Sequence, residues 1–66
     1  MPLTGRGLPA SAPYYLLRNL GILARERGQP VLAHQLYEEA LAASRQVGDQ
    51  RESARTLNNL GVLARQ

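Results

Sequence analysis

The sequence predicts an all-α fold, an antiparallel array of three helices, and three observations lead to this prediction. The stretch Leu17–Arg25 returns forty positions later as Leu57–Arg65, with seven of nine residues identical. Apolar residues recur at helical spacing, and no segment shows the alternation of a strand. Glycines and prolines divide the chain into three segments. A repeat of this period is typical of stacked helical units, none of which buries its apolar face alone.

The composition limits both the size of the fold and the chemistry that it can carry. Sixty-six residues allow one small domain, whose core rarely contributes more than about 3–5 kcal/mol. The absence of cysteine and the single histidine exclude disulfides, thiolate metal sites and a histidine cluster within one chain. No set of nucleophile, base and orienting group can be assembled. We therefore expect neither an enzyme nor a bound metal or cofactor.

The formal net charge of +3 comes from eight arginines and five acidic residues, without any lysine. This charge is weak for a nucleic-acid-binding protein, whose basic residues should also share one face. No apolar run approaches the ~18 residues of a membrane span, and the N-terminus lacks the apolar core of a signal peptide. We expect a soluble cytoplasmic protein, or a piece of one, without a membrane partner.

Two regions differ in composition. Residues 1–12 contain two prolines and two glycines, which break helical and strand patterns, so we predict a flexible N-terminal lead-in. Residues 13–66 are predicted to form one helical domain. Its helices are expected at about 13–28, 30–47 and 50–65.

The first predicted helix has a proline, Pro13, in its first turn, where the missing N–H costs nothing. Gly28 is expected to end it as a left-handed C-cap. Its apolar residues form one stripe at helical spacing. These residues are Leu16, Leu17, Leu20, Leu23 and Ala24.

The second predicted helix also has a proline, Pro30, in its first turn, and Gly48 ends it. The connection to the first helix is only about two residues long, so the two helices should form an antiparallel hairpin. Its polar side holds His34, Gln35, Glu38, Glu39 and Arg45. Its wide apolar face holds Val31, Leu32, Leu36, Tyr37, Ala40, Leu41 and Val47.

The third predicted helix begins at a capping box. Asp49 takes the N-cap position and Glu52 follows three residues later, so that each side chain could bind the other's backbone N–H. The helix continues to the end of the sequence. Its apolar residues are Ala54, Leu57, Leu60, Leu63 and Ala64.

The spacing of small and aromatic residues resembles the tetratricopeptide repeat. Gly21 and Ala33 have almost no side chain, so two helices can approach closely there, while Leu17 and Tyr37 fill the space beside them. The resemblance covers about residues 14–66. The matching positions are Leu17, Leu20, Gly21, Ala24, Gly28, Ala33, Tyr37 and Ala40, and then Leu60 and Gly61.

The resemblance implies one and a half repeats, because the third helix matches the first helix of a second repeat. The forty-residue period is similar to a longer variant, whose second helix ends in Gly-Asp, found in bacterial regulators, signalling ATPases and proteins that hold extended peptides. The third helix would leave its face of Leu57, Leu60 and Ala64 half covered. Such faces bind partners, and self-association through this helix is one expectation.

The resemblance also implies a binding surface, because the first helix of each repeat lines the concave side of the array. We call the inward positions the arginine face. Arginine forks bind carboxylates in bidentate fashion, so an acidic peptide segment or a free C-terminus is the expected ligand. Solvated surface arginines are the alternative interpretation. The arginine face comprises Tyr15, Arg18, Ile22, Arg25, Arg55, Asn58, Val62 and Arg65.

Some members of the family bind a carboxylate through a clamp of basic and asparagine residues. Arg18 and Asn59 fall at two clamp positions, but Ile22 stands where the clamp needs an asparagine, so we do not expect a true clamp. Asn19 and Asn59 are expected instead to hold helix–helix contacts together.

Two further pairs have a structural and a functional interpretation. His34 and Glu38 lie four residues apart and could support a metal, although a surface pair is the simpler interpretation. Tyr14 and Tyr15 could form a stacking platform, but aromatic residues at a helix start more often pack onto a neighbouring helix.

The function predicted from the sequence is protein–protein interaction through the arginine face, and a fragment of a larger regulator is one interpretation of the chain. The alternative is a nucleic-acid-binding helical module that uses the same arginines on phosphates, which would weaken steeply with salt.

Overall fold

The structure, a computed structural model, describes residues 13–65 and confirms the all-α prediction. It contains three helices, α1 Tyr14–Glu26, α2 Pro30–Gln46 and α3 Gln50–Ala64, with no strand among the described residues. The predicted lead-in, residues 1–12, lies outside the described part of the chain. Each helix ends one or two residues earlier than the sequence indicated, because turn residues follow it: Arg27 and Gly28 after α1, Val47 and Gly48 after α2, and Arg65 after α3.

The turns that join the helices are built alike. Gly28 and Gly48 have positive φ angles of 74° and 76°, which glycine adopts without the steric cost of a Cβ. The residue after each glycine donates its backbone N–H to a carbonyl of the preceding helix. Gln29 donates to Ala24 and Asp49 donates to Ser44, both at 2.8 Å. This pairing satisfies carbonyls at the helix end and reverses the chain. The three helices are therefore antiparallel in sequence order.

The core lies between α1 and α2 and is centred on one aromatic ring. Tyr37 is fully buried beside Ala24 and Ala33. An ideal Cβ built on Gly21 would lie 2.6 Å from Cε1 of Tyr37, so the ring occupies the space that any side chain at position 21 would need. The two helices can therefore approach closely only with glycine there. The half-buried residues packed against this core are Ile22, Leu36, Leu60 and Leu63.

The second helix contact, between α2 and α3, adds buried polar residues to the apolar packing of Leu60 and Leu63. Ser44 and Ser53 form a buried hydroxyl pair at 2.8 Å, and buried Thr56 donates to the carbonyl of Glu52 at 2.9 Å. The hydroxyl of Ser44 also has the Leu41 carbonyl within 3.0 Å. Small hydroxyl residues let the two helices approach while their polar atoms stay paired.

Several residues assigned to apolar faces by periodicity are exposed, so the predicted faces were too wide. Each of the three helices covers only part of its neighbours' surfaces, so residues beside each buried face stay exposed. The narrower buried face of α1 consists of Leu17, Gly21 and Ala24. The residues wrongly expected to be covered are Leu16, Leu23, Val31, Leu32 and Val47.

Glycine-to-alanine substitutions at the two repeated glycines should have opposite effects on stability. We expect Gly21→Ala to destabilise by about 1–3 kcal/mol, because the new methyl overpacks against the buried Tyr37 ring. Gly61→Ala should stabilise by about 0.5–1 kcal/mol, because its Cβ meets nothing within 4 Å and alanine favours the helix. Urea unfolding followed by circular dichroism measures both. Equal shifts in the two midpoints would contradict the packing described here.

Candidate ligand-binding face

The arginine face is divided between α1 and α3, and its members differ in accessibility. On α1, Tyr15 is exposed whereas Arg18, Ile22 and Arg25 are half-buried, and Ile22 also packs against the core. On α3, Val62 is half-buried. The exposed residues of α3 on this face are Arg55, Asn58 and Arg65.

An acidic residue that the sequence did not assign to this face joins its two helices. The Nε of Arg18 donates to Oε2 of Glu52 at 2.5 Å, and the two side chains are only 17% and 10% exposed. Arg55 lies 3.7 Å from the other carboxylate oxygen of Glu52. Glu52 is the only acidic residue of α3, which is the one sequence signal that could have marked it. Arg18 therefore holds α1 to α3.

The predicted capping box at the start of α3 is only half formed. Asp49 does accept the backbone N–H of Glu52 at 3.0 Å, as predicted. The reciprocal half was wrong, because the N–H of Asp49 already donates to the Ser44 carbonyl. The carboxylate of Glu52 is consequently available to Arg18.

A second polar contact joins the start of α1 to the start of α3. The hydroxyl of Tyr14 donates to Oδ2 of Asp49 at 2.6 Å. This bond is the main cause that raises the pKa of Tyr14 and lowers the pKa of Asp49. Tyr14 meets the ring of Tyr15 edge-on, with centroids 6.5 Å apart. Tyr14 thus packs onto a neighbouring helix, whereas Tyr15 stays exposed and accessible to a ligand.

The asparagines do not play the part that the sequence suggested. Asn19 is exposed and Asn59 is half-buried, and neither side chain forms a hydrogen bond within residues 13–65. The expectation that they hold helices together was therefore wrong. Close approach at Gly21 and the hydroxyl pairs of α2 and α3 do that work instead.

The pair His34 and Glu38, the possible metal support, lies on the surface. His34 and Glu38 form an exposed surface pair at 3.5 Å, and the described residues contain no cluster of three or more metal-binding side chains.

The hydroxyl of Tyr37 has no hydrogen-bond partner among the described residues. Burial raises the pKa of Tyr37, against the opposing charges of Arg25 and Arg18. Within residues 13–65 no helix is long and apolar enough to cross a membrane.

Comparison with known proteins gives one positive result. The family model described as tetratricopeptide repeat matches residues 14–66, which includes all three helices and both copies of the repeated stretch. Comparisons with curated proteins and with solved structures found no match.

Acidification should destabilise the chain partly through Asp49. Its pKa is lowered in the folded state from 3.8, so the stability that it contributes is present above about pH 4 and is lost as the pH falls through the folded value. Tyr14→Phe removes the phenol donor but keeps the N-cap. We expect urea midpoints of this variant to fall less than those of the parent between pH 7 and pH 2.5. Parallel curves would contradict the assigned cause.

Breaking the Arg18–Glu52 pair should cost more than breaking a surface pair. Glu52→Gln leaves the half-buried guanidinium without its carboxylate, and we expect a loss of about 1–3 kcal/mol. Glu38→Gln, which breaks the exposed pair with His34, is the matched control and should change stability by less than about 0.5 kcal/mol. Thermal unfolding measures both variants. A loss from Glu52→Gln no larger than the control's would show that the pair does not hold α3.

Proposed function

The chain belongs to the tetratricopeptide-repeat family, whose members generally mediate protein–protein interaction, and we propose that it binds an acidic protein segment along the arginine face. Such repeats are typically non-catalytic scaffolds. The observation that carries the proposal is the Arg18–Glu52 pair, which joins α1, bearing Arg25, to α3, bearing Arg55.

The charges of the face suggest which of its arginines would bind. Arg18 is held by Glu52, so it positions the helices and has little capacity left for a ligand. Arg25 and Arg65 form no ion pair within residues 13–65, and the side chain of Arg55 is largely exposed. Because an arginine fork binds a carboxylate in bidentate fashion, these three arginines are the anchors we assign to acidic side chains or a C-terminal carboxylate.

Apolar contacts would supply selectivity. Ile22 and Val62 occupy equivalent positions of the two repeat copies, and both are half-buried, so each leaves part of its surface open. Tyr15 adds an exposed aromatic ring at the start of α1. A peptide with an apolar residue between its acidic residues would bury these surfaces, and part of its affinity would survive at high salt.

The arginine face is less suited to a nucleic-acid ligand. Phosphate binding requires several uncommitted basic residues along one face. The Glu52 carboxylate lies on this face, pairs with Arg18 and sits near Arg55, so the positive charge offered to phosphates is smaller than the number of arginines suggests.

The length of the repeat suggests the type of assembly in which the chain acts. The forty-residue period favours the longer variant of the repeat over the commoner shorter one. We propose on this basis that the chain acts within a regulatory or signalling assembly, where such repeats hold extended peptides.

Two pairs of arginines provide a direct test of the proposed face. The double variant Arg25→Gln, Arg65→Gln should weaken binding of acidic decapeptides with a free C-terminal carboxylate by about tenfold or more. Substitution of Arg27 and Arg45 by glutamine removes the same charge from exposed positions off this face. It should change affinity by less than about twofold at physiological salt. Isothermal titration calorimetry measures both.

Two results would count against the proposal. Equal losses in the two double variants would mean that net charge alone attracts the peptide. Peptides that fail to bind the parent chain at all would remove the arginine face as a peptide site.

A further inference from the structure

A second surface of α3 carries the same residues as the face of α1 that α2 covers. Leu17 and Ala24 are only 7% and 4% exposed, because α2 packs on them. Their identical counterparts forty positions later have the opposite surroundings. Leu57 is 46% exposed and Ala64 is also exposed. The same apolar face is therefore buried in one helix and open in the other.

The glycines of the two copies show the difference at atomic scale. A Cβ on Gly21 would lie 2.6 Å and 2.7 Å from two ring carbons of Tyr37. A Cβ on Gly61 would meet nothing within 4 Å, although seven of the nine residues in its stretch match those around Gly21. The chain thus shows what fits against this face, an aromatic ring from an antiparallel helix.

The open face borders a groove between α2 and α3. One hollow of about 710 Å³ lies at the start of α2 and the end of α3, and a second of about 360 Å³ lies at the opposite end of the same helix pair. We call the two together the α3 groove. Its α2 side holds Pro30, Val31, His34, Gln35, Glu38 and Arg45, and its α3 side holds Gln50, Ser53, Ala54, Leu57, Leu60, Gly61, Leu63 and Ala64.

We propose that the α3 groove binds an amphipathic helix of another protein whose buried residues match those of α2. In α2 the buried apolar residues are Ala33, Tyr37, Ala40 and Leu41. The partner helix would therefore carry an aromatic residue over Gly61, with a small residue four positions before it and a small residue followed by leucine three and four positions after it. It would run antiparallel to α3, as α2 runs antiparallel to α1.

The charged residues around the groove agree with such a partner. The α2 side of the groove carries both signs of charge, in Glu38 and Arg45, so the exposed edge of the partner helix can be polar without a strong net charge.

The α3 groove is separate from the arginine face. Adjacent residues on a helix point about 100° apart, so Leu57 and Gly61 face a different direction from Asn58 and Val62. Binding at one surface can therefore fail while binding at the other succeeds.

A peptide with the sequence of α2, residues 29–47, is the probe for this site. A helix of this length is marginally stable alone, so binding and helix formation should occur together. In the full chain labelled with ¹⁵N, we expect a saturable shift of the Gly61 amide while the Gly21 amide stays in place. A peptide with Tyr37→Ala should bind about tenfold more weakly or worse, because it lacks the aromatic anchor.

Variants of the chain locate the site. Gly61→Leu fills the groove where nothing opposes a Cβ, so the chain should remain helical by circular dichroism and lose about tenfold or more in peptide affinity. Asn58→Leu places the same side chain on the arginine face and should leave affinity within about twofold. Leu57→Glu, at an exposed position of the groove, should weaken binding as Gly61→Leu does.

Several results would overturn the proposal. An unshifted Gly61 amide resonance is one such result, and a Gly61→Leu variant that binds the peptide as tightly as the parent chain is another. Equal shifts of Gly21 and Gly61 would mean that the peptide replaces the chain's own α2. A dimer in sedimentation equilibrium that Gly61→Leu abolishes would mean that a second copy of the chain covers the groove.

Discussion

The fold depends on one contact, the ring of Tyr37 against the backbone at Gly21. The ring is fully buried and occupies the space of a side chain that glycine lacks, which sets the distance between α1 and α2. Ala24 and Ala33 complete the same cluster with side chains too small to separate the helices. Larger residues, Leu60 among them, then pack around this pair and bring α3 against it.

The attachment of α3 relies on polar contacts to a greater degree than the α1–α2 hairpin does. Arg18 reaches Glu52 from α1, and Tyr14 reaches Asp49 at the start of α3. Such contacts have strict geometry, so they fix the orientation of α3 while adding modest net energy. They also decide the character of the arginine face, because a carboxylate lies among its arginines. One helix of this small protein therefore presents two different surfaces, one charged and one apolar.

The sequence was sufficient for the features that depend on near neighbours. Helical periodicity, proline in the first turn of α2, the left-handed turns at Gly28 and Gly48 and the cap at Asp49 each involve residues within about five positions of one another. The close approach at Gly21 also followed, through resemblance to the repeat. The partner of Arg18 could not be predicted in this way. Glu52 lies thirty-four positions away, and only the packing of α3 on α1 brings the two together.

The repeated stretch shows which properties the local sequence determines and which depend on tertiary structure. Leu17 and Leu57 are the same residue in nearly the same local sequence, and the sequence determined that both lie on helices, on the same face and beside a glycine. Tertiary structure alone decided that Leu17 is buried and Leu57 exposed, because burial depends on whether another helix lies against that face. Local sequence sets backbone conformation through short-range sterics and hydrogen bonds, whereas apolar surface leaves water only when a distant segment covers it.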